Sequence, residues 1–306
     1  MSTSTRLGDG GAPPHPIRET SIPTARLRFA ALEAGDPGGP LALCLHGFPD
    51  SAWTWRHLLP ALARRGYHGV APFMRGYAPT ELPSGGFGLR DLAADVLALE
   101  ETCRGSGRSV CIGHDWGAAA VYAVLGQSAD RWACAVAAAV PPMGDASLDS
   151  FSLEQLRRSW YSFLFQLPDV NVPVRLASDD DLALIGSLWR DWSPGWHSPE
   201  DLARAKAALR PPGHLRAAIS YYREVPTRAP APDANREREI PGWATSLLYL
   251  HGRNDGCIGA DVVEAVRPRL SSWVQVEVLQ DAGHFPQLER PEAFREGVLE
   301  FLEAHA

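Results

Sequence analysis

The 306-residue chain contains no apolar run near the ~20 residues that a bilayer-crossing helix requires, which excludes a helical membrane protein. Positive charge is also short. Lys and Arg total 29 against 36 Asp and Glu, and a net charge of -7 offers nucleic acid no basic footprint. Cysteine is sparse and odd in number, five in all, with no close pair at metal-ligand spacing. Cys44, Cys111 and Cys134 lie inside apolar runs, where a thiol behaves as a small hydrophobe. The opening residues Met1-Ser2-Thr3-Ser4-Thr5-Arg6 lack the apolar stretch of a secretory signal. Reduced thiols and a cytoplasmic location are therefore expected. No internal repeat occurs either. What remains is an ordinary globular composition, 45% hydrophobic and 21% charged.

Residues 1–20, rich in Gly, Pro, Ser and Thr, predict a flexible tail. Thr24 to Gly35 reads as edge strand. Short apolar runs at Leu41–Gly47, Tyr67–Pro72, Ser109–Ile112 and Cys134–Val140 then alternate with helical patterns at Trp53–Arg65, Leu89–Cys103 and Ala118–Leu125. Strands alternating with helices predict a mostly parallel sheet covered on both faces. The alternation stops after Pro141-Pro142. Residues 145–238 hold helical stretches and aromatic clusters without a convincing strand, and Pro226 to Glu239 reads as a return loop. Strands resume at Ser246–Gly252 and Val274–Leu279, before a last helix from Pro291 to His305. The expected organisation is a core at 21–144 and 239–306 with a helical cap inserted at 145–238.

Gly113-His114-Asp115-Trp116-Gly117 sits between a predicted strand and a predicted helix. Strand, Gly-x-X-x-Gly, helix is the setting of a nucleophile elbow, whose turn lifts one side chain above the sheet edge. Here that residue is Asp115. A carboxylate is ionised at neutral pH and needs no base to activate it, so it suits displacement at an sp3 carbon and leaves an ester of the protein's own Asp. Taken alone, Asp115 has a second, less favoured reading as a helix N-cap.

Two later loops alter that balance. Asp255 follows the strand ending at Gly252, and His284 follows the strand ending near Gln280, in the order nucleophile, acid, histidine. All three leave carboxyl ends of strands, where sites collect in parallel sheets. His284 would take a proton from water and Asp255 would orient its ring. The backbone N–H groups of Trp116 and Phe48, the latter in the His46-Gly47-Phe48-Pro49 turn, would stabilise the oxyanion formed at the ester. Asp145 is a less favoured candidate for the acid.

These motifs, with Arg75-Gly76-Tyr77, resemble the α/β-hydrolase fold epoxide hydrolases over nearly the whole chain beyond the tail. The resemblance implies two cap tyrosines that hold and protonate the epoxide oxygen. Trp160-Tyr161-Ser162-Phe163-Leu164-Phe165-Gln166-Leu167-Pro168 resembles the first tyrosine segment, and Ser220-Tyr221-Tyr222-Arg223 the second, with Tyr161 and Tyr222 matching. It further implies substrate contacts from His46, Pro49, Trp116 and Phe165, and no metal or organic cofactor. Haloalkane and haloacetate dehalogenases share the Asp-His-Asp chemistry. However, Phe48 stands where a haloalkane dehalogenase often has an Asn donor, and Tyr161-Ser162 stand where haloacetate dehalogenases have His-Trp. A hydrolase-fold protein that binds an apolar ligand without turnover is the alternative of another class.

The remaining conspicuous residues read as structural. His57, His68, His197, His214 and His251 share no spacing, and Arg75 suits an ion pair more than an anion site. Asp179-Asp180-Asp181 reads as a solvated helix start. Trp189, Trp192 and Trp196 read as cap packing, with a role in an aromatic substrate pocket left open. The expected partners are a small apolar epoxide and water, not nucleic acid or membrane, with homo-oligomerisation open.

Overall fold

A computed structural model describes residues 15–142, 152–224 and 245–306. The expected boundaries at 144/145 and 238/239, Asp145, most of the tail, and the loop from Pro226 to Glu239 lie outside these residues.

An eight-stranded sheet runs in the order β1-β2-β4-β3-β5-β6-β7-β8. It comprises β1 (Arg18–Pro23), β2 (Arg28–Ala34), β3 (Leu41–Leu45), β4 (His68–Pro72), β5 (Ser109–His114), β6 (Trp132–Ala138), β7 (Leu247–Gly252) and β8 (Val274–Leu279). β1 pairs antiparallel with β2, and β2 antiparallel with β4; every other pairing is parallel. Successive side chains of a strand point to opposite faces. In β3, β4, β5 and β7 every residue is buried, so both faces are covered, as runs such as Leu41-Ala42-Leu43-Cys44-Leu45 require. β8 at the sheet edge is mostly half-buried.

Helices α1 (Leu59–Arg64), α2 (Leu89–Cys103) and α3 (Trp116–Ser128) connect the first strands. The segment between β6 and β7 carries α4 (Leu153–Arg158), α5 (Trp160–Phe165), α6 (Asn171–Trp192), α7 (Pro199–Leu209) and α8 (His214–Glu224). α9 (Ala260–Val266), α10 (Pro286–Glu289) and α11 (Pro291–His305) complete the chain. α3 packs on β3, β5 and β6, and α11 on β6 and β7.

Three local expectations change. β1 begins at Arg18, inside the predicted tail, because its backbone pairs with β2 from Arg18↔Glu33 to Pro23↔Arg28. The stretch from Trp53 to Arg65 is a 3-10 turn at Ala52–Trp55 followed by the separate α1, which has a proline in its first turn. Asp179-Asp180-Asp181 does not start a helix but marks a kink within α6, with φ of 48° at Asp180 and 52° at Asp181. Asp181 there bonds Arg210 at 2.9 Å and the Lys206 ammonium at 3.4 Å, cations from α7 and the residue after it.

Candidate active site

The parallel topology puts the carboxyl ends of β3, β5, β7 and β8 at one edge, and each is followed by a loop that supplies a polar group. Asp115 follows β5 directly. Its φ of 52° and ψ of -115° are outside the regions favoured by L-residues, a strained conformation that the surrounding turn must hold. The flanking glycines make the turn passable. A Cβ on Gly113 would lie 2.2 Å from the Gly117 carbonyl oxygen, and one on Gly117 would lie 2.1 Å from that of Leu45.

The Phe48 N–H donates to Asp115 Oδ1 at 2.7 Å. Trp116 opens α3, so its N–H is among the first-turn donors that no helical carbonyl satisfies. On the other side, His284 Nε2 stands 3.7 Å from Asp115 Oδ2 and has no hydrogen-bond partner among the described residues. His284 Nδ1 is 2.9 Å from Asp255 Oδ2, and Asp255 Oδ1 accepts from the N–H groups of Cys257 at 2.7 Å and Ile258 at 2.9 Å. Burial opposes charge on His284, but the carboxylates of Asp255 and Asp115 outweigh it and raise its pKa to about 10. Burial likewise resists ionisation of Asp255. The imidazole and backbone donors outweigh it there and hold the carboxyl below its ordinary value.

The two loops carrying the acid and the histidine are tied to the end of α6. One carbonyl, that of Trp192, accepts from Gly256 N–H at 2.9 Å and from His284 N–H at 3.1 Å. Glu289 closes the second loop by accepting from Gly283 N–H at 2.7 Å, Phe285 N–H at 3.0 Å and the Ser193 hydroxyl at 2.6 Å. His114, buried beside the elbow, donates from Nε2 to the His284 carbonyl at 2.7 Å. Burial lowers its pKa to about 4, so it makes this bond as a neutral ring.

Tyr161 from α5 and Tyr222 from α8 reach the same space. A cavity of about 280 Å³ is lined by Leu89, Asp115, Trp116, Tyr161, Tyr222 and Cys257, among others. The rings of Tyr161 and Tyr222 meet edge to face at 5.7 Å, and Tyr222 meets Trp116 at 5.0 Å. Tyr222 Oη has no hydrogen-bond partner among the described residues, whereas Tyr161 Oη lies 3.2 Å from Cys257 Sγ. Burial drives both phenols well above their ordinary pKa, which keeps them protonated donors. Neighbouring Tyr221 is spent elsewhere, donating to the Arg75 carbonyl at 2.8 Å. A wider cavity of about 760 Å³, lined by Asp255 beside Arg158, Arg253 and Glu264, shares no lining residue with this one.

Three expected substrate contacts do not line the cavity. His46 is fully buried, with Nδ1 2.9 Å from the Gly47 carbonyl and Nε2 accepting from Met74 N–H at 3.0 Å, so both nitrogens brace the turn. Pro49 offers its carbonyl to Trp189 Nε1 at 2.8 Å. Phe165 is buried among Phe48, Tyr161 and Tyr222, backing the tyrosines. Trp116 does line the space. Arg75 makes a buried two-pronged pair with Asp95, at 2.5 and 2.8 Å. Trp192 packs on His284 at 4.8 Å, and Trp189 stacks on Phe285 at 4.3 Å. Cys257, Ile258, Leu89, Ala119 and Val140 were not anticipated in the lining. For Cys257 the available signal was its place two residues after the acid, in the same strand-end loop.

Asp255, Cys257 and His284 each offer a donor atom within 4.8 Å of one another, the one such grouping among the described residues. Asp255 and His284 are bonded to each other, and burial keeps the Cys257 thiol protonated, so hydrogen bonds already use these donors.

The chain matches the model of the α/β-hydrolase fold family over residues 40–291. It is 30% identical to epoxide hydrolase 3 of Mus musculus over 293 residues, covering 92% of this chain and 76% of that protein. Identity to epoxide hydrolase A of Mycobacterium tuberculosis is 28% over 320 residues, covering 93% and 97%. An epoxide hydrolase from Vigna radiata has a similar fold, with a TM-score of 0.76 at 22% identity over 96% of this chain and 100% of that one.

Proposed function

The chain belongs to the epoxide hydrolases of the α/β-hydrolase fold family, and on that premise we propose that it turns an epoxide into a vicinal diol through an ester on Asp115. The observation that carries the reading is the pairing of a carboxylate at the elbow with two phenolic hydroxyls in one cavity. A halide leaves as a stable anion, whereas an epoxide oxygen leaves as an alkoxide and needs a proton donor. Tyr161 and Tyr222, kept protonated by burial, are suited to that need.

In the first step an Asp115 oxygen attacks an epoxide carbon, the carbon–oxygen bond breaks, and a tyrosine proton goes to the departing oxygen. Forming the ester removes the negative charge of Asp115. One of the two carboxylates that hold the proton on His284 is thereby lost, so the imidazole gives up that proton more readily and is available in its neutral form to act as base. In the second step His284 takes a proton from water, Asp255 stabilises the imidazolium, and the water oxygen attacks the ester carbonyl carbon. The Phe48 N–H, already on the Asp115 carboxylate, and the Trp116 N–H stabilise the oxyanion. Collapse expels the alkoxide, which takes the proton from His284 to give the diol, and the proton left on the Asp115 carboxyl returns to the tyrosinate, restoring the starting protein. The helices between β6 and β7 act as a cap in this scheme, since they supply both tyrosines.

A single turnover of excess enzyme in oxygen-18 water tests the route. The diol should be mostly unlabelled and the peptide containing Asp115 labelled. Labelled diol beside an unlabelled Asp115 peptide would remove the covalent step while leaving epoxide hydrolysis intact.

A further inference from the structure

We propose that Cys257 is a positioning residue for epoxide opening: its thiol holds the Tyr161 hydroxyl in the cavity until the substrate oxygen takes its place. The inference rests on the reading of Tyr161 as a donor to that oxygen. The two phenols are not equivalent in the free protein. Tyr222 Oη has no partner among the described residues, while Tyr161 Oη lies 3.2 Å from Cys257 Sγ. Cys257 is 1% exposed and lines the cavity with Asp115 and both tyrosines.

The backbone of Cys257 is fixed from both sides. Its N–H donates to Asp255 Oδ1 at 2.7 Å, and its carbonyl accepts from Gln155 Nε2 of α4 at 2.9 Å. The side chain therefore projects from a residue that joins the acid loop to the first helix of the insert. Sulfur is a weak hydrogen-bonding atom. It can orient the phenol yet yield it to an oxygen that is gaining negative charge. Burial also keeps the thiol neutral, so it neither repels that charge nor competes with Asp115 as a nucleophile.

Cys257→Ala, Cys257→Ser, Tyr161→Phe and the Tyr161→Phe/Cys257→Ala pair, mixed rapidly with styrene oxide, separate the alkylation rate from the ester hydrolysis rate. Cys257→Ala should slow alkylation ~3- to 10-fold, the loss of one weak hydrogen bond. Ester hydrolysis should stay within about twofold, because the hold on Asp255 is through backbone N–H. Cys257→Ser should recover most of the alkylation rate, and Cys257→Ala should add no further loss once Tyr161 is Phe. If the Ala variant does not fold, Cys257→Val fills the space without a hydrogen-bonding atom and is read in the same way. An unchanged alkylation rate overturns the proposal. So does equal slowing of both steps, or a loss that persists in full in the Tyr161→Phe background. A wild-type protein that forms no ester with the epoxide removes the functional premise itself, and that outcome is distinct from the others.

Discussion

His284 Nε2 stands 3.7 Å from Asp115 Oδ2, so the proposed base of the second step faces the proposed nucleophile of the first. Before alkylation the ring lies between two carboxylates. Afterwards it lies beside one carboxylate and a neutral ester.

Removing the imidazole should split the cycle. His284→Ala is expected to alkylate and then stall, since an ionised carboxylate attacks without a base. Intact-protein mass spectrometry after epoxide addition should show the substrate mass added to nearly all of the protein, with ester loss slowed by at least ~100-fold. Normal turnover by this variant would rule out His284 as the base.

The pH dependence follows from the same geometry. The pKa of His284 is raised to about 10 in the folded protein, against an ordinary 6.5. The corresponding stabilisation is fully present below pH 6.5 and is lost as pH rises through about 10. Replacing Asp115 by Asn, with Ala as a control against deamidation, removes one of the carboxylates responsible. Thermal unfolding across that window should then decline less steeply than in the wild type. Parallel curves would show that Asp115 does not hold the proton on His284.

Loss of either phenol should weaken stabilisation of the departing oxygen. Tyr161→Phe and Tyr222→Phe are each expected to slow alkylation by ~10- to 100-fold, with the double variant nearly inactive. Stopped-flow alkylation rates test this. A double variant that alkylates at the wild-type rate removes the tyrosines from the mechanism.

Gly117→Ala should fail for steric reasons, because the new Cβ would meet the Leu45 carbonyl oxygen at 2.1 Å. Backbone cannot move aside as a side chain can, and a loss of about 3 kcal/mol or more is expected. Chemical denaturation would measure it. A fully stable Ala variant would mean that the elbow can open without breaking the β3–β5 contact.

Much of this was legible in the chain. The alternation of apolar runs and helical periods reflects burial of both sheet faces, so β3 to β7 could be read from the pattern along the chain. Asp115, Asp255 and His284 were findable because each follows a strand end that the sheet brings to one edge. The limits were equally physical. Nothing local distinguishes a strand from a tail at Arg18–Pro23, where pairing with β2 decides. His46 stands beside the proposed oxyanion donor in sequence, yet hydrogen bonds to Gly47 and Met74 engage its ring. Beyond its place after Asp255-Gly256 in a loop, nothing in the sequence around Cys257 singles it out. Only the meeting of its loop with α5 brings the thiol to Tyr161.

The carbonyl of Trp192 bears on how such proteins can be recombined. It grips Gly256 and His284 at once, from the last residue of the longest helix between β6 and β7. A chimera that takes its substrate-facing helices from a relative cannot treat them as an interchangeable cassette. A graft whose seam displaces position 192 would release the loops of the acid and the base together. The donor segment would import new specificity while dismantling the machinery meant to use it. Seams placed after Ser193 would carry the fastening along with the graft.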